Sequence, residues 1–160
     1  MVNSSEFQLV KVIQKLEIFS NLDSEDARTI VRLCQRSSFA EGEVIWKPGD
    51  AGDSMFVLIS GKLHVKNGAD QVIGEVLPGA SFGEMACLSG SPRFVGFQAV
   101  EPSTALCLTR RALRSLVNGN PKLYVHVLEM TIKVLAERIT RGWAEQQSAG
   151  SVDSDALGRW

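Results

Sequence analysis

The sequence is poor in the residues on which most metal sites and covalent cross-links draw. It has two histidines, His64 and His126, and three cysteines, Cys34, Cys87 and Cys107, all far apart along the chain. With no Cys-x-x-Cys pair there is no zinc ligand set, and an odd number of scattered thiols makes no disulfide framework. The three read as buried, reduced cysteines. No Gly-x-Ser-x-Gly elbow, His-Glu-x-x-His helix or Gly-x-x-x-x-Gly-Lys-Ser/Thr loop is present, which removes the common hydrolase signatures. Long apolar runs are missing too. Uncharged stretches such as 55–60 and 104–109 are far shorter than the roughly 20 residues a spanning helix needs. Residues 1–9 lack the basic start and apolar core of a secretory signal. An excess of one charge is also lacking: 17 Lys and Arg face 18 Asp and Glu, for a net charge of -1. That balance speaks against nucleic-acid binding and anionic membranes, which depend on clustered positive charge. The expectation is a cytoplasmic protein with no membrane insertion, no metal, no cofactor and no catalytic residues, hence not an enzyme.

What is present fits one packed domain: 160 residues, 44% hydrophobic and 22% charged. Periodicity divides the chain into an N-terminal helical segment (1–37), a β region (38–109), C-terminal helices (110–143) and a tail (144–160) expected to be mobile. Leu9, Val12, Ile13 and Leu16 recur at one-turn spacing and predict a helix over 6–18. A second helix is expected over 24–36, capped by Asp23, with Ala27, Ile30, Val31 and Cys34 as its buried stripe. After these two helices, residues 38–109 carry short apolar runs at 44–46, 55–59, 63–65, 71–77, 95–100 and 105–108. Glycine-containing turns separate most of the runs, as in an antiparallel barrel, roll or sandwich. Thr109 caps the next helix, which stops at Asn118-Gly119, and Asn120-Pro121 starts a longer one. On that last helix Leu123, Val127, Met130 and Val134 line one face, and Leu128, Thr131, Leu135 and Ile139 an adjacent one. So wide a stripe predicts a core contact first and a seam for a second copy of the chain, through helix 121–143, next. Arg110, Arg111 and Arg114 read as a solvated helix face.

The chemistry concentrates in residues 82–94, Phe-Gly-Glu-Met-Ala-Cys-Leu-Ser-Gly-Ser-Pro-Arg-Phe. Arg93 is the only basic residue between Lys66 and Arg110. Placed at the start of an apolar strand, it is expensive to bury without an anionic partner. Glu84, nine residues earlier, is either that partner or a second group addressing the same ligand. Gly83 lets the backbone pass close to another group, and the turn after it offers N–H donors. A guanidinium fork suits phosphate oxygens, and a carboxylate suits a sugar hydroxyl. Donors for a phosphate beside an acceptor for a sugar point to a nucleotide.

Phe-Gly-Glu-x-Ala followed at this distance by Pro-Arg resembles the phosphate-binding cassette of cyclic nucleotide-binding domains. Gly42-Glu43, Pro48-Gly49, Asp53-Ser54-Met55-Phe56 and Ser60-Gly61 also fall where the turns of that family's β-roll fall. The resemblance implies a mainly β fold with flanking helices: a jelly-roll-like antiparallel β-roll of eight strands, N-terminal helices and two C-terminal helices. It implies that Glu84 accepts the ribose 2′-hydroxyl and that Arg93 pairs with the cyclic phosphate. The backbone of Gly83, Met85, Ala86 and Phe94 completes the shell, and Arg138 or Trp143 from the last helix caps the base. Phe94 stands where the family has small residues, or threonine in members favouring cyclic GMP; lacking a hydroxyl, it tilts the expected ligand from cGMP to cAMP. The implied function is a cyclic AMP sensor or regulatory domain that signals through its C-terminal helices to an effector protein or domain not named by the sequence. The alternative is a ligand-free protein-interaction module on the same fold, with Glu84 and Arg93 bonded only to each other. A DNA-binding regulator is not expected, because the seventeen residues after Trp143 are too few for a helix-turn-helix.

Overall fold

The structure, a computed structural model, describes residues 4–148. Helices α1 (Ser4–Ile13) and α2 (Ser24–Leu33) lead into strands β1 (Gln35–Phe39), β2 (Val44–Trp46), β3 (Ser54–Ser60), β4 (Leu63–Lys66), β5 (Val72–Val76) and β6 (Ser81–Phe82). Then follow helix α3 (Glu84–Ser89), strands β7 (Gly96–Ala99) and β8 (Ser103–Thr109), and helices α4 (Arg110–Gly119) and α5 (Pro121–Ser148). The strands form two four-stranded sheets, in the orders β1-β8-β3-β6 and β2-β7-β4-β5, and every pairing is antiparallel. The eight-stranded roll with flanking helices is therefore as expected.

Strand β3 explains how the parts join. Its sequence, Ser-Met-Phe-Val-Leu-Ile-Ser, is apolar without alternation because both faces are covered. Met55 and Val57 point into a core shared with the helices, whereas Phe56 and Leu58 point into the roll. Its neighbour β8 does the same, with Leu106 and Leu108 on the helical side and Ala105 and Cys107 inside the roll. The roll core is closed by Trp46, Phe56, Phe82 and Phe97, whose ring centroids lie 5.1–5.6 Å apart.

The caps sit where the sequence put them. Asp23 Oδ1 accepts from the N–H groups of Glu25 and Asp26 at 2.9 and 2.8 Å, and Thr109 Oγ1 accepts from Ala112 N–H at 3.1 Å. Asn120 Oδ1 accepts from Leu123 N–H at 3.1 Å, while its Nδ2 donates to Asp26 Oδ1 at 2.7 Å and so pins α5 to α2.

Four boundaries differ from expectation. Helix α1 ends at Ile13, and a short 3-10 turn, Glu17–Phe19, takes over to bury Ile18 and Phe19. Helix α2 stops at Leu33, because residues 35–39 pair with β8 as an edge strand instead of continuing the helix. Strand β6 is two residues long and has no periodicity to read. Helix α5 passes Trp143 and runs on to Ser148, so residues 144–148 are helical; 149–160 lie outside the described residues. Among the described residues no helix is long and apolar enough to cross a membrane, and no cluster of metal-ligating side chains occurs. All three cysteines are free, with Cys87 and Cys107 buried and Cys34 half-buried.

Candidate functional site

Helix α3 is a short insertion between β6 and β7, bracketed by two glycines in the left-handed conformation, Gly83 (φ 78°) and Gly90 (φ 81°). Gly83 is required twice over. A Cβ there would be strained, and would stand 2.6 Å from Nη1 of Arg93 and 3.2 Å from the Ser54 carbonyl oxygen. The turn delivers Glu84 into the interior, where it is only 3% exposed. Its Oε1 accepts from Nη1 of Arg138 at 2.5 Å, and Arg138 Nη2 donates to Ser81 O at 2.7 Å and Ser81 Oγ at 3.1 Å. Glu17 Oε2 stands 4.0 Å from the same guanidinium. The other carboxylate oxygen of Glu84, Oε2, is buried without a partner.

Arg93 is 6% exposed and is held by neutral groups. Nη1 donates to the carbonyls of Ser54 and Gly83 at 2.8 and 2.9 Å, and Nη2 to Ser54 Oγ at 3.2 Å. Its guanidinium lies 3.9 Å over the Trp46 ring, while Trp46 Nε1 donates to Val95 O at 3.0 Å. Burial pulls the Arg93 pKa below its ordinary value, against smaller opposing influences from Cys87, Asp53, Cys107 and Glu84. Its Nε is buried without a partner. Glu84 and Arg93 thus do not pair with each other: the cation on Glu84 is Arg138. The purely structural Glu84–Arg93 bond that the sequence allowed is not formed.

Both groups open on a cleft of about 990 Å³ between the roll and α5. Gly83, Glu84, Met85, Ala86, Arg93, Phe94 and Arg138 all line it. Its rim is apolar, with Met85 at 56% and Phe94 at 80% exposure, joined by Ile73 and Ile139. Trp143 is not among the lining residues; it stands half-exposed on α5. Arg138 is in the cleft, but its guanidinium is placed on Glu84 and Ser81.

The sequence profile of the cyclic nucleotide-binding domain matches residues 36–120. The chain belongs to that family. Among curated relatives of this cyclic nucleotide-binding domain is the CRP-like cAMP-activated global transcriptional regulator of Mycobacterium tuberculosis. It is 24% identical over 153 residues, which are 93% of this chain and 66% of the regulator. The cAMP-dependent protein kinase regulatory subunit of Yarrowia lipolytica is 31% identical over 110 residues, 68% of this chain and 29% of the subunit. The chain therefore spans just under two thirds of one relative and under a third of the other. A solved cyclic nucleotide-binding domain from Methylobacillus flagellatus superposes with a TM-score of 0.79 at 25% identity, covering 91% of this chain and 84% of that one.

Four residues that hold the domain's cassette in place, of which only Trp46 lines the cleft, escaped the sequence reading. Trp46 and Ser54 hold Arg93, and nothing local to either marks it as more than strand interior. Gly52 is a glycine for space: a Cβ would come 2.6 Å from Ala86 Cβ and 2.7 Å from Arg93 Nε. Its place in a loop between two apolar runs gave no sign of that. Arg110 is no solvated cation, since its side chain bonds the carbonyls of Gly52, Ala86 and Cys87. Its position as the first residue after an N-cap, where a base opposes the helix dipole, was the available signal.

Proposed function

We propose that this domain is a regulatory rather than catalytic module that binds cyclic AMP in the cleft and passes occupancy to α5. One observation carries the reading. Among the described residues, Glu84 Oε2 and Arg93 Nε are the two buried side-chain N or O atoms without a hydrogen-bond partner, and both residues line the cleft. Leaving such atoms without a partner costs about 1–3 kcal/mol each, so an unpaired acceptor and an unpaired cationic donor on two residues that line one cleft suit an incoming ligand. Arg93 would meet the cyclic phosphate and Glu84 Oε2 the ribose hydroxyl, with the backbone of Gly83, Met85, Ala86 and Phe94 around them. Arg138 reaches the ligand through Glu84, which gives α5 a stake in occupancy. The named dependence of both curated relatives on cAMP, and the absence of a hydroxyl on Phe94, favour cyclic AMP over cyclic GMP. Such a nucleotide is met in the cytoplasm, and the effector is a second protein or domain.

A second copy of the chain is the partner that the exposed apolar positions along α5 fit, Leu135 and Ile139 among them being shared with the cleft. Val125, Ile132 and Ile139 recur every seven residues at 50%, 63% and 53% exposure, with Leu128 and Leu135 between them. β-Branched residues alternating with leucine at this repeat favour a two-stranded parallel coil.

Calorimetric titration with cyclic AMP, cyclic GMP and 5′-AMP tests the reading, with sedimentation of the same samples reporting the second copy. Cyclic AMP should bind most tightly, and Arg93→Ala should weaken it by about 2–4 kcal/mol. Absence of saturable binding by either cyclic nucleotide, or an Arg93→Ala protein that binds like the parent, would overturn it.

A further inference from the structure

Arg110 opens α4 and does not line the cleft. Its Nε donates to Cys87 O at 2.5 Å, and its Nη2 to Ala86 O at 2.6 Å and Gly52 O at 3.0 Å. Its main-chain N–H donates to Asp53 O at 2.6 Å. One side chain thus ties two segments, the 52–53 loop and α3, that are more than thirty positions apart in sequence. These are also the segments between which Arg93 is wedged. The open side of Gly52 faces Ala86 Cβ on one hand and Arg93 Nε on the other, each within 2.7 Å of the place a Cβ would take. The Nη2 of Arg110 holds the carbonyls of both walls of that slot, Gly52 and Ala86. Six residues between left-handed glycines are too few to hold a helix by themselves, so α3 depends on such outside ties.

We infer that Arg110 is a positioning residue for ligand binding: it fixes the width of the Gly52–Ala86 slot and so fixes the unpartnered Nε of Arg93 in its ligand-ready place. The inference rests on the proposed binding of cyclic AMP and adds a residue that the ligand never touches. A ligand that needs the slot at one width binds more weakly when the free protein samples others, in proportion to the competent fraction. Because Arg110 belongs to α4, the same tie makes the first turn of α4 respond to cassette occupancy, and the coupling is reciprocal.

The test is a double-mutant cycle read by calorimetric titration of cyclic AMP into the full chain. Arg110→Met keeps the aliphatic stem and removes the three donors; it should weaken binding by about five- to fifty-fold. Arg110→Lys restores the charge without the fork, and should recover part of the loss. In an Arg93→Ala background, Arg110→Met should cost little more, since its effect runs through Arg93. Hydrogen exchange adds a second readout: cyclic AMP should slow the α4 amides 110–114 in the parent and leave them unchanged in Arg110→Met. Equal affinity of parent and Arg110→Met, or an equal fold loss with and without Arg93, overturns the inference and leaves Arg110 as scaffold. If Arg110→Met fails to fold, Arg110→Lys and the parent's exchange pattern decide alone: parent-like affinity with unresponsive α4 amides overturns it. A parent that binds neither cyclic nucleotide overturns the functional reading itself, which is a different result.

Discussion

Replacing Arg138 by methionine exposes how tightly the last helix is bound to the cassette. The side chain of Glu84 is 4% exposed and that of Arg138 37%. Removing the cation leaves a buried carboxylate with no partner on either oxygen, and strips Ser81 O and Oγ of a donor. Breaking a fully buried pair costs about 3–5 kcal/mol, and an exposed pair is worth about 0–1 kcal/mol. With one partner buried and the other a third exposed, a loss of about 2–3 kcal/mol follows for Arg138→Met. Glu84→Gln should cost less, about 1–2 kcal/mol, because Arg138 keeps Ser81 and can turn to Glu17. The double variant no longer buries an orphaned carboxylate, so it should be more stable than the sum predicts by about 1–2 kcal/mol. Urea unfolding of the four proteins, with two-state behaviour checked by two probes, gives the cycle. Additive losses, within about 0.3 kcal/mol, would refute the claim that Arg138 and Glu84 form one energetic unit.

Gly52→Ala adds a methyl group where Ala86 Cβ and Arg93 Nε already stand 2.6 and 2.7 Å away. It should cost about 1–3 kcal/mol by overpacking and weaken cyclic AMP binding, whereas Gly68→Ala, with nothing within 4 Å, should be near neutral in urea unfolding. Equal stabilities of the two variants would count against the packing described. Burial lifts the Cys34 thiol from 9.0 to about 12 and the Cys87 thiol from 9.0 to about 11. A raised thiol pKa holds the proton in the folded state, so this contribution is complete below about pH 9 and lost as pH rises from there towards 11–12. Stability measured by urea unfolding should fall over that window, and less so in Cys34→Ala; parallel curves would refute it.

The roll and the cassette were legible because their signals are local. Gly42, Gly49 and Gly61 take positive φ at the turns expected from the sequence. Asp23, Thr109 and Asn120 cap where a short polar side chain precedes an apolar stripe. Strand β1 was illegible because Gln35, Arg36, Ser37 and Ser38 carry no apolar alternation; only β8, some seventy residues later, makes them a strand. The same limit governs the site. Glu84 and Arg93 stand out through their neighbours in sequence, but the choice of Arg138 as the partner of Glu84 depends on the approach of α5 from 54 residues away. Trp143 misses the cleft because a helix turns by about 100° per residue, and five positions beyond Arg138 the face has changed.

The two cores differ in when they can close as the chain leaves the ribosome. Everything buried inside the roll, from Trp46 to Cys107, comes from one continuous stretch, so that stretch can shut on itself early. The other core joins Val10, Ile13 and Phe19 to Leu113, Leu123, Val127 and Val134, which emerge more than ninety residues later. Until those residues emerge, the first two helices can cover their apolar faces only against each other and against Met55, Val57, Leu106 and Leu108 on the helical side of the roll. A nascent chain stalled once residue 109 has cleared the exit tunnel, but before α4 and α5 have, would carry a closed roll and a protease-sensitive N-terminal arm.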